Sequence, residues 1–257
     1  MRSLIALCIA AVSLAVAVGV AAAADTVVVT PANTQGWSTA DTRPGGAVNF
    51  VSDATAPAGS GALQLTTDAT NTAKAQYMHA TSTPLADVTE LSYSTKQNSG
   101  PAVADPSYQL AVELNGTSGY TTLVYEPYWN GAVVPGTWQS WDVDSGFFWS
   151  SSTVTCSNGG VTSGAGGPPL YTLDEIATMC PDAVVVGFGV NVGTNNPGYD
   201  VETDVVDFNG TTYDFEPNVT ASSADQCKNG GWSSVTRADG STFTNQGDCI
   251  QYVNSGK

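Results

Sequence analysis

The chain has 257 residues, with 23 acidic and seven basic side chains, a formal net charge of −16 and a single histidine. That balance argues against nucleic acid and anionic membrane surfaces as partners, because both are held by lysine and arginine patches. One histidine cannot build a histidine-rich zinc centre, and any Ser-His-Asp mechanism would have to use His79.

The chain opens on Arg2 and the apolar run LIALCIAAVSLAVAVGV, which ends in AAAAD. A short apolar stretch closed by small residues reads as a secretory signal peptide over residues 1–24, cut after Ala24. The sequence has no second apolar run of transmembrane length. The expected location is therefore outside the cell or at the cell envelope, with no membrane partner after cleavage. Four cysteines remain: Cys156, Cys180, Cys227 and Cys249. An even number in an exported chain reads as a disulfide framework. Three connectivities are open. The local one, Cys156 with Cys180 and Cys227 with Cys249, is favoured because each pair brackets one compositionally distinct segment.

Strand candidates follow at short intervals: TVVVT (26–30), AVNFV (47–51), ALQLTT (62–67), AKAQYMHA (73–80), ELSYSTK (90–96), YQLAVEL (108–114) and YTTLVYE (120–126). TWQSWDV (137–143), AVVVGFGVNV (183–192), YDVETDVVDF (199–208) and TTYDFEP (211–217) complete the set. In YQLAVEL, Tyr108, Leu110, Val112 and Leu114 share one face, and Gln109, Ala111 and Glu113 the other, so one side is buried and one wet. LNGTSGY predicts a hairpin joining 108–114 to 120–126, and Asn209-Gly210 predicts a tight one, because a type I′ turn needs positive φ at both positions. One helix interrupts the pattern. Thr172 and Glu175 form a capping box ahead of IATM, and Cys180-Pro181 ends it. The fold expected is all-β: an antiparallel β-sandwich of jelly-roll type over residues 25–217, with one short inserted helix. Residues 218–257 read as a disulfide-stapled C-terminal clasp, with a short helix ADQCKN stopped by Gly230-Gly231 and a second helix capped by Asn245.

The closing run YDVETDVVDFNGTTYDFEP resembles the last strands of jelly-roll, carbohydrate-binding-type domains. The tail, CKNGGW followed by NQGDCIQYV, resembles a C-terminal module of exported proteins from high-GC Gram-positive bacteria. The resemblance implies location and architecture, and supplies no catalytic residue.

The residues that could carry chemistry are acids and aromatics. Glu113 and Glu126 lie on one hairpin, but strand rise places them roughly 17 Å apart, too far for a glycosidase pair. ETDVVD (Glu202, Asp204, Asp207) is similar to the Glu-x-Asp-x-x-Glu signature of jelly-roll glucanases but ends in aspartate. The same acids with Asp200 or Asp214 offer hard oxygen ligands for calcium, without an EF-hand-like loop. No metal site and no cofactor is assigned. Nine aromatic residues fall between positions 120 and 149. Trp138 and Trp141, three apart, should occupy opposite faces of a regular strand. Trp129, Trp138 and Trp141, with Asn130, Gln139 and Asp142, are therefore the expected ligand-binding residues, the rings stacking on sugar and the polar groups meeting its hydroxyls. The function expected is non-catalytic binding of a polysaccharide or cell-envelope glycan. A secreted glycoside hydrolase and a structural envelope protein without a small ligand are the alternatives.

Overall fold

A computed structural model describes residues 25–101, 105–238 and 240–256; the predicted signal peptide lies outside the described residues. The strands run in chain order as β1 (Asp25–Val29), β2 (Trp37–Ser38), β3 (Gly46–Ser52), β4 (Gly61–Thr67), β5 (Ala75–Pro84) and β6 (Leu91–Ser99). Then come β7 (Ser107–Glu113), β8 (Tyr120–Tyr125), the one-turn helix α1 (Pro127–Asn130), β9 (Gln139–Asp142) and β10 (Phe148–Ser150). The small hairpin β11 (Val154–Cys156) and β12 (Gly159–Val161) leads to helix α2 (Leu173–Met179). The long strands β13 (Val184–Val192) and β14 (Asp200–Phe208) precede β15 (Thr211–Phe215). The tail adds β16 (Val219–Thr220), β17 (Val235–Thr236) and helix α3 (Gln246–Ser255).

Two sheets face each other. The first has seven strands, with β14 at its centre: β6 covers one edge, while β4 and then β15 share the other, and β3, β1 and β9 lie outside them. The second has six strands in the order β10-β8-β7-β13-β5-β2. Pairing within both sheets is antiparallel except at one margin, where β1 runs parallel to β15. The all-β sandwich is therefore as expected, with one parallel ladder that alternation alone did not reveal.

Alternation explains the core. Tyr108, Leu110, Val112 and Leu114 are fully buried between the sheets, as their shared face requires. Trp37 stands at the centre of an aromatic cluster, stacked on Tyr77 at 5.3 Å and edge-on to Phe188, Tyr213 and Phe215. β14 changes partner at Val205, whose φ of +48° is a left-handed value that β-branched residues rarely adopt. The register with β6 shifts there, as at a bulge. Just before the bulge, Asp204 accepts the backbone N–H of Phe215 at 3.0 Å and of Ala58 at 3.2 Å. Asp207, two residues beyond it, accepts from Gly210 N and Thr212 Oγ1. The ETDVVD acids thus tie the strand to its neighbours. Among the described residues, no group of three or more His, Cys, Asp or Glu is arranged to hold a metal.

The turns follow their sequence signals. Asn209 and Gly210 have φ of +52° and +78° and join β14 to β15 through a two-residue loop. Thr172 and Glu175 make the reciprocal capping box at the start of α2. Both local disulfides form, Cys156–Cys180 and Cys227–Cys249. The tail has its own small core of Ala221, Cys227, Val235, Phe243 and Cys249, separate from the core of the sandwich. Asn245 caps α3 by accepting from Asp248 N at 3.0 Å. The expected helix ADQCKN is instead a run of turns. The Gln226 side chain accepts the N–H groups of Ser222 and Ser223, and backbone bonds three residues apart close each turn in place of helical ones.

Candidate functional site

The outer face of the second sheet is not a uniformly wet surface. Residues whose neighbours in sequence enter the core line a groove of about 490 Å³: Ser107 and Gln109 of β7, Thr122 and Val124 of β8, Trp149 of β10 and Asn191 of β13. Gln109, on the face expected to be wet, is buried with Ser107 and Asn191 as the groove floor. Their polar groups are fixed by one another. Asn191 Nδ2 donates to Gln76 Oε1 at 3.1 Å, Ser107 Oγ donates to the Asn191 carbonyl at 3.1 Å, and Gln109 Nε2 reaches Ser107 Oγ at 3.4 Å. Gly189, opposite Gln109, has no room for a side chain, since a Cβ there would lie 2.2 Å from the Tyr77 carbonyl oxygen.

Aromatic walls rise at one end. Trp149 is the register partner of Val124. It is partly buried, and its indole N–H lacks a hydrogen bond of normal geometry. Tyr128 and Trp129 both donate to the Gly166 carbonyl, at 3.1 and 3.2 Å, so the glycine-rich loop and α1 brace each other beside the groove. Tyr199 closes the wall from the segment before β14.

Two acids sit among these rings. Burial pushes the Glu126 carboxyl up to about 8, with the Trp149 indole lowering it slightly, even though no bond of good geometry closes between the two. Burial likewise pushes Asp105 to about 6, against a hydrogen bond from Thr95. Asp105 is 5% exposed, and its Oδ1 has no hydrogen-bond partner among the described residues. Arg43 and Lys74 line the other margin, beside β5, where Asp41 pairs with both.

The six residues expected to bind ligand fall in two places. Trp129, 40% exposed, and Asn130 belong to α1, of which only Tyr128 lines the groove. Asn130 accepts from Phe147 N at 2.8 Å and donates to the Glu126 and Phe147 carbonyls, which fixes the loop that carries Glu126. The other four lie on or beside β9, in the first sheet. Trp141 is buried, and Trp138 donates to Asp53 at 3.1 Å. Gln139 bonds Val134 N and the Ala132 carbonyl, and Asp142 pairs in register with Ser92. Sequence reasoning did not single out Tyr128, Trp149 or Tyr199 as site residues. Trp149 had a usable signal, since strict alternation through FFWS points it away from Phe148 and Ser150.

No family model matches the sequence, and no curated protein is significantly similar to it. Solved structures with a similar course of chain include the family 11 carbohydrate-binding module from Clostridium thermocellum in complex with a β-1,3-1,4-mixed-linked tetrasaccharide. That module has 11% identity, a TM-score of 0.40 and coverage of 68% of this chain and 89% of its own. The family 11 module of the cellulosomal cellulase Lic26A-Cel5E of the same organism has 11% identity, a TM-score of 0.38 and coverage of 67% and 86%. The CBM22-1 xylan-binding domain of Paenibacillus barcinonensis Xyn10C has 14% identity, a TM-score of 0.34 and coverage of 66% and 83%.

Proposed function

We propose that this protein is an exported, non-catalytic module that binds a polysaccharide or cell-envelope glycan in the groove of its second sheet. The observation that carries the reading is the lining itself: amide and hydroxyl groups pre-set by mutual hydrogen bonds, beside the partly exposed rings of Tyr128 and Trp149. A sugar ring needs both, an aromatic surface for its C–H face and fixed polar groups for its hydroxyls. A strongly acidic protein disfavours polyanions and tolerates neutral polymers. The two disulfides fit an oxidising compartment. A glycan array probed with the protein, followed by Trp149→Ala, tests the reading. The variant should lose retention on the glycan that holds the wild type while melting at a similar temperature. Equal retention by both would place the site elsewhere, and a blank array would favour a structural envelope role.

A further inference from the structure

We propose that Glu126 meets the glycan as an uncharged carboxylic acid, donating a hydrogen bond to a sugar oxygen, so that the groove selects neutral glycans over those bearing a uronate at this subsite. The proposal rests on the groove being the glycan site. Alternation along β8 sends Thr122, Val124 and then Glu126 to the groove, and all three line it. The Glu126 carbonyl is already taken by Trp129 N at 3.1 Å and Asn130 Nδ2 at 3.0 Å. Its backbone is therefore held while its carboxyl is left to the cavity.

Among the described residues, no cation acts on the Glu126 carboxyl, whose pKa is raised by burial. The titratable groups around Glu126 are Asp105 ahead of β7, Tyr93 of β6, Tyr128 of α1 and Tyr199 ahead of β14; each is an acid or a phenol. Arg43 and Lys74 lie at the β5 margin, three strand spacings away in the order β8-β7-β13-β5, or about 14 Å. Asp41 already pairs with both. An ionised Glu126 would thus be desolvated and uncompensated, and burial raises its pKa to about 8. In the protonated form it carries one O–H donor and retains acceptor capacity, which suits the hydroxyl, ring or linkage oxygens of a neutral sugar. A uronate in the same place would face Glu126 and Asp105 with no basic partner.

The test is calorimetric titration of the intact protein with cellohexaose, xylohexaose and mannohexaose as neutral probes and hexagalacturonate as the acidic one. Carbon-13 NMR of the glutamate carboxyls in the free protein accompanies it. Wild-type affinity for the neutral probe that binds should fall about tenfold between roughly pH 6 and pH 9.5, as Glu126 loses its proton. Glu126→Gln, which keeps a donor, should bind equally at both pH values, and hexagalacturonate should bind at least tenfold more weakly than the neutral probe at pH 6. The Glu126 carboxyl should titrate near pH 8. Neutral-probe binding that is independent of pH yet lost in Trp149→Ala overturns the Glu126 proposal and leaves the groove reading intact. Equal affinity for hexagalacturonate, or a Glu126 carboxyl that titrates near pH 4, overturns it as well. If no probe binds at any pH, the glycan reading falls and this proposal falls with it.

Discussion

Trp138 and Trp141 stand on opposite faces of one sheet. Trp141 faces the core beside its register partner Tyr93 and donates its indole N–H to Thr95 Oγ1 at 2.8 Å. Trp138 covers the outer face: it donates to Asp53, and the Lys96 ammonium lies 5.2 Å from its ring centroid. Lys96 is itself held between Asp53 and Glu202. The same residue type thus closes a core in one position and roofs an ion cluster in the other.

Truncation should separate the two roles. Trp141→Ala is expected to cost ~3–5 kcal/mol, the usual range for a buried aromatic. Trp138→Ala is expected to cost about 1–2 kcal/mol, from one hydrogen bond and one cation–π contact. Urea melts measure both. Glycan retention should survive Trp138→Ala, because that ring lies on the sheet without the groove. Loss of retention at unchanged stability would move the binding face to the first sheet.

Stability should decline as pH rises from mild acid to neutrality. Burial raises Asp204 to about 7, and burial raises Asp105 and Asp214 to about 6. Each keeps its proton in the folded state at a pH where the unfolded chain has released it, so ionisation favours unfolding between about pH 4 and pH 7. Asp53 works in the other direction and at lower pH. Burial opposes its ionisation, but hydrogen bonds from Lys96, Thr55 and Trp138 hold it well below its ordinary value. Its contribution is lost only as pH falls below about 4. Asp214 is raised by burial and by the neighbouring Glu216, and its Oδ1 has no hydrogen-bond partner among the described residues, so Asp214→Asn should add about 1–3 kcal/mol near pH 8 and flatten the slope. Calorimetric melts across pH decide it; a melting temperature that rises from pH 5 to pH 8 in wild type would contradict it.

The tail should fail on its own. Its hydrophobic cluster is separate from that of the sandwich, and Cys227–Cys249 closes a 22-residue separation within it. Removing that bridge (Cys227→Ala with Cys249→Ala) costs about 3 kcal/mol in the chain-entropy account. A unit this small has little else to hold it. Limited proteolysis should then clip the variant after Phe215 and leave a sandwich fragment whose melting matches the intact protein. Loss of the sandwich along with the tail would show that the clasp supports the main fold.

Chelation should change little. The carboxylate oxygens of Asp204 and Asp207 accept backbone and hydroxyl hydrogen bonds within the first sheet. EDTA is expected to move the melting temperature by no more than a degree or so. A fall of several degrees, restored by calcium, would assign these acids to an ion.

Much of the architecture was legible because it rests on short-range rules. The period-2 pattern of YQLAVEL, the Asn-Gly turn and the capping box each act within a few residues, and each appears where the sequence places it. Trp37 of β2, Phe148 of β10 and the parallel β1 were not legible, because a strand of two or three residues has no period and parallel pairing depends on where distant chain returns. The groove lay between these cases. Gln109 was assigned to the outward face and lies there, but it is buried in a groove that Tyr128, Gly166 and Tyr199, distant in sequence, also line. The spacing of Trp138 and Trp141 predicted opposite faces, and the structure shows them. It could not say that the sheet they belong to is the one without the groove.

The N-terminal strand and the exit to the tail share one margin. Parallel pairing sets Asp25 beside Thr211 and Val29 beside Phe215, so chain enters and leaves along the edge of the first sheet. The groove opens on the second. The segments that precede Asp25 and follow Phe215 therefore join the sandwich at one edge, on the sheet that does not carry the groove.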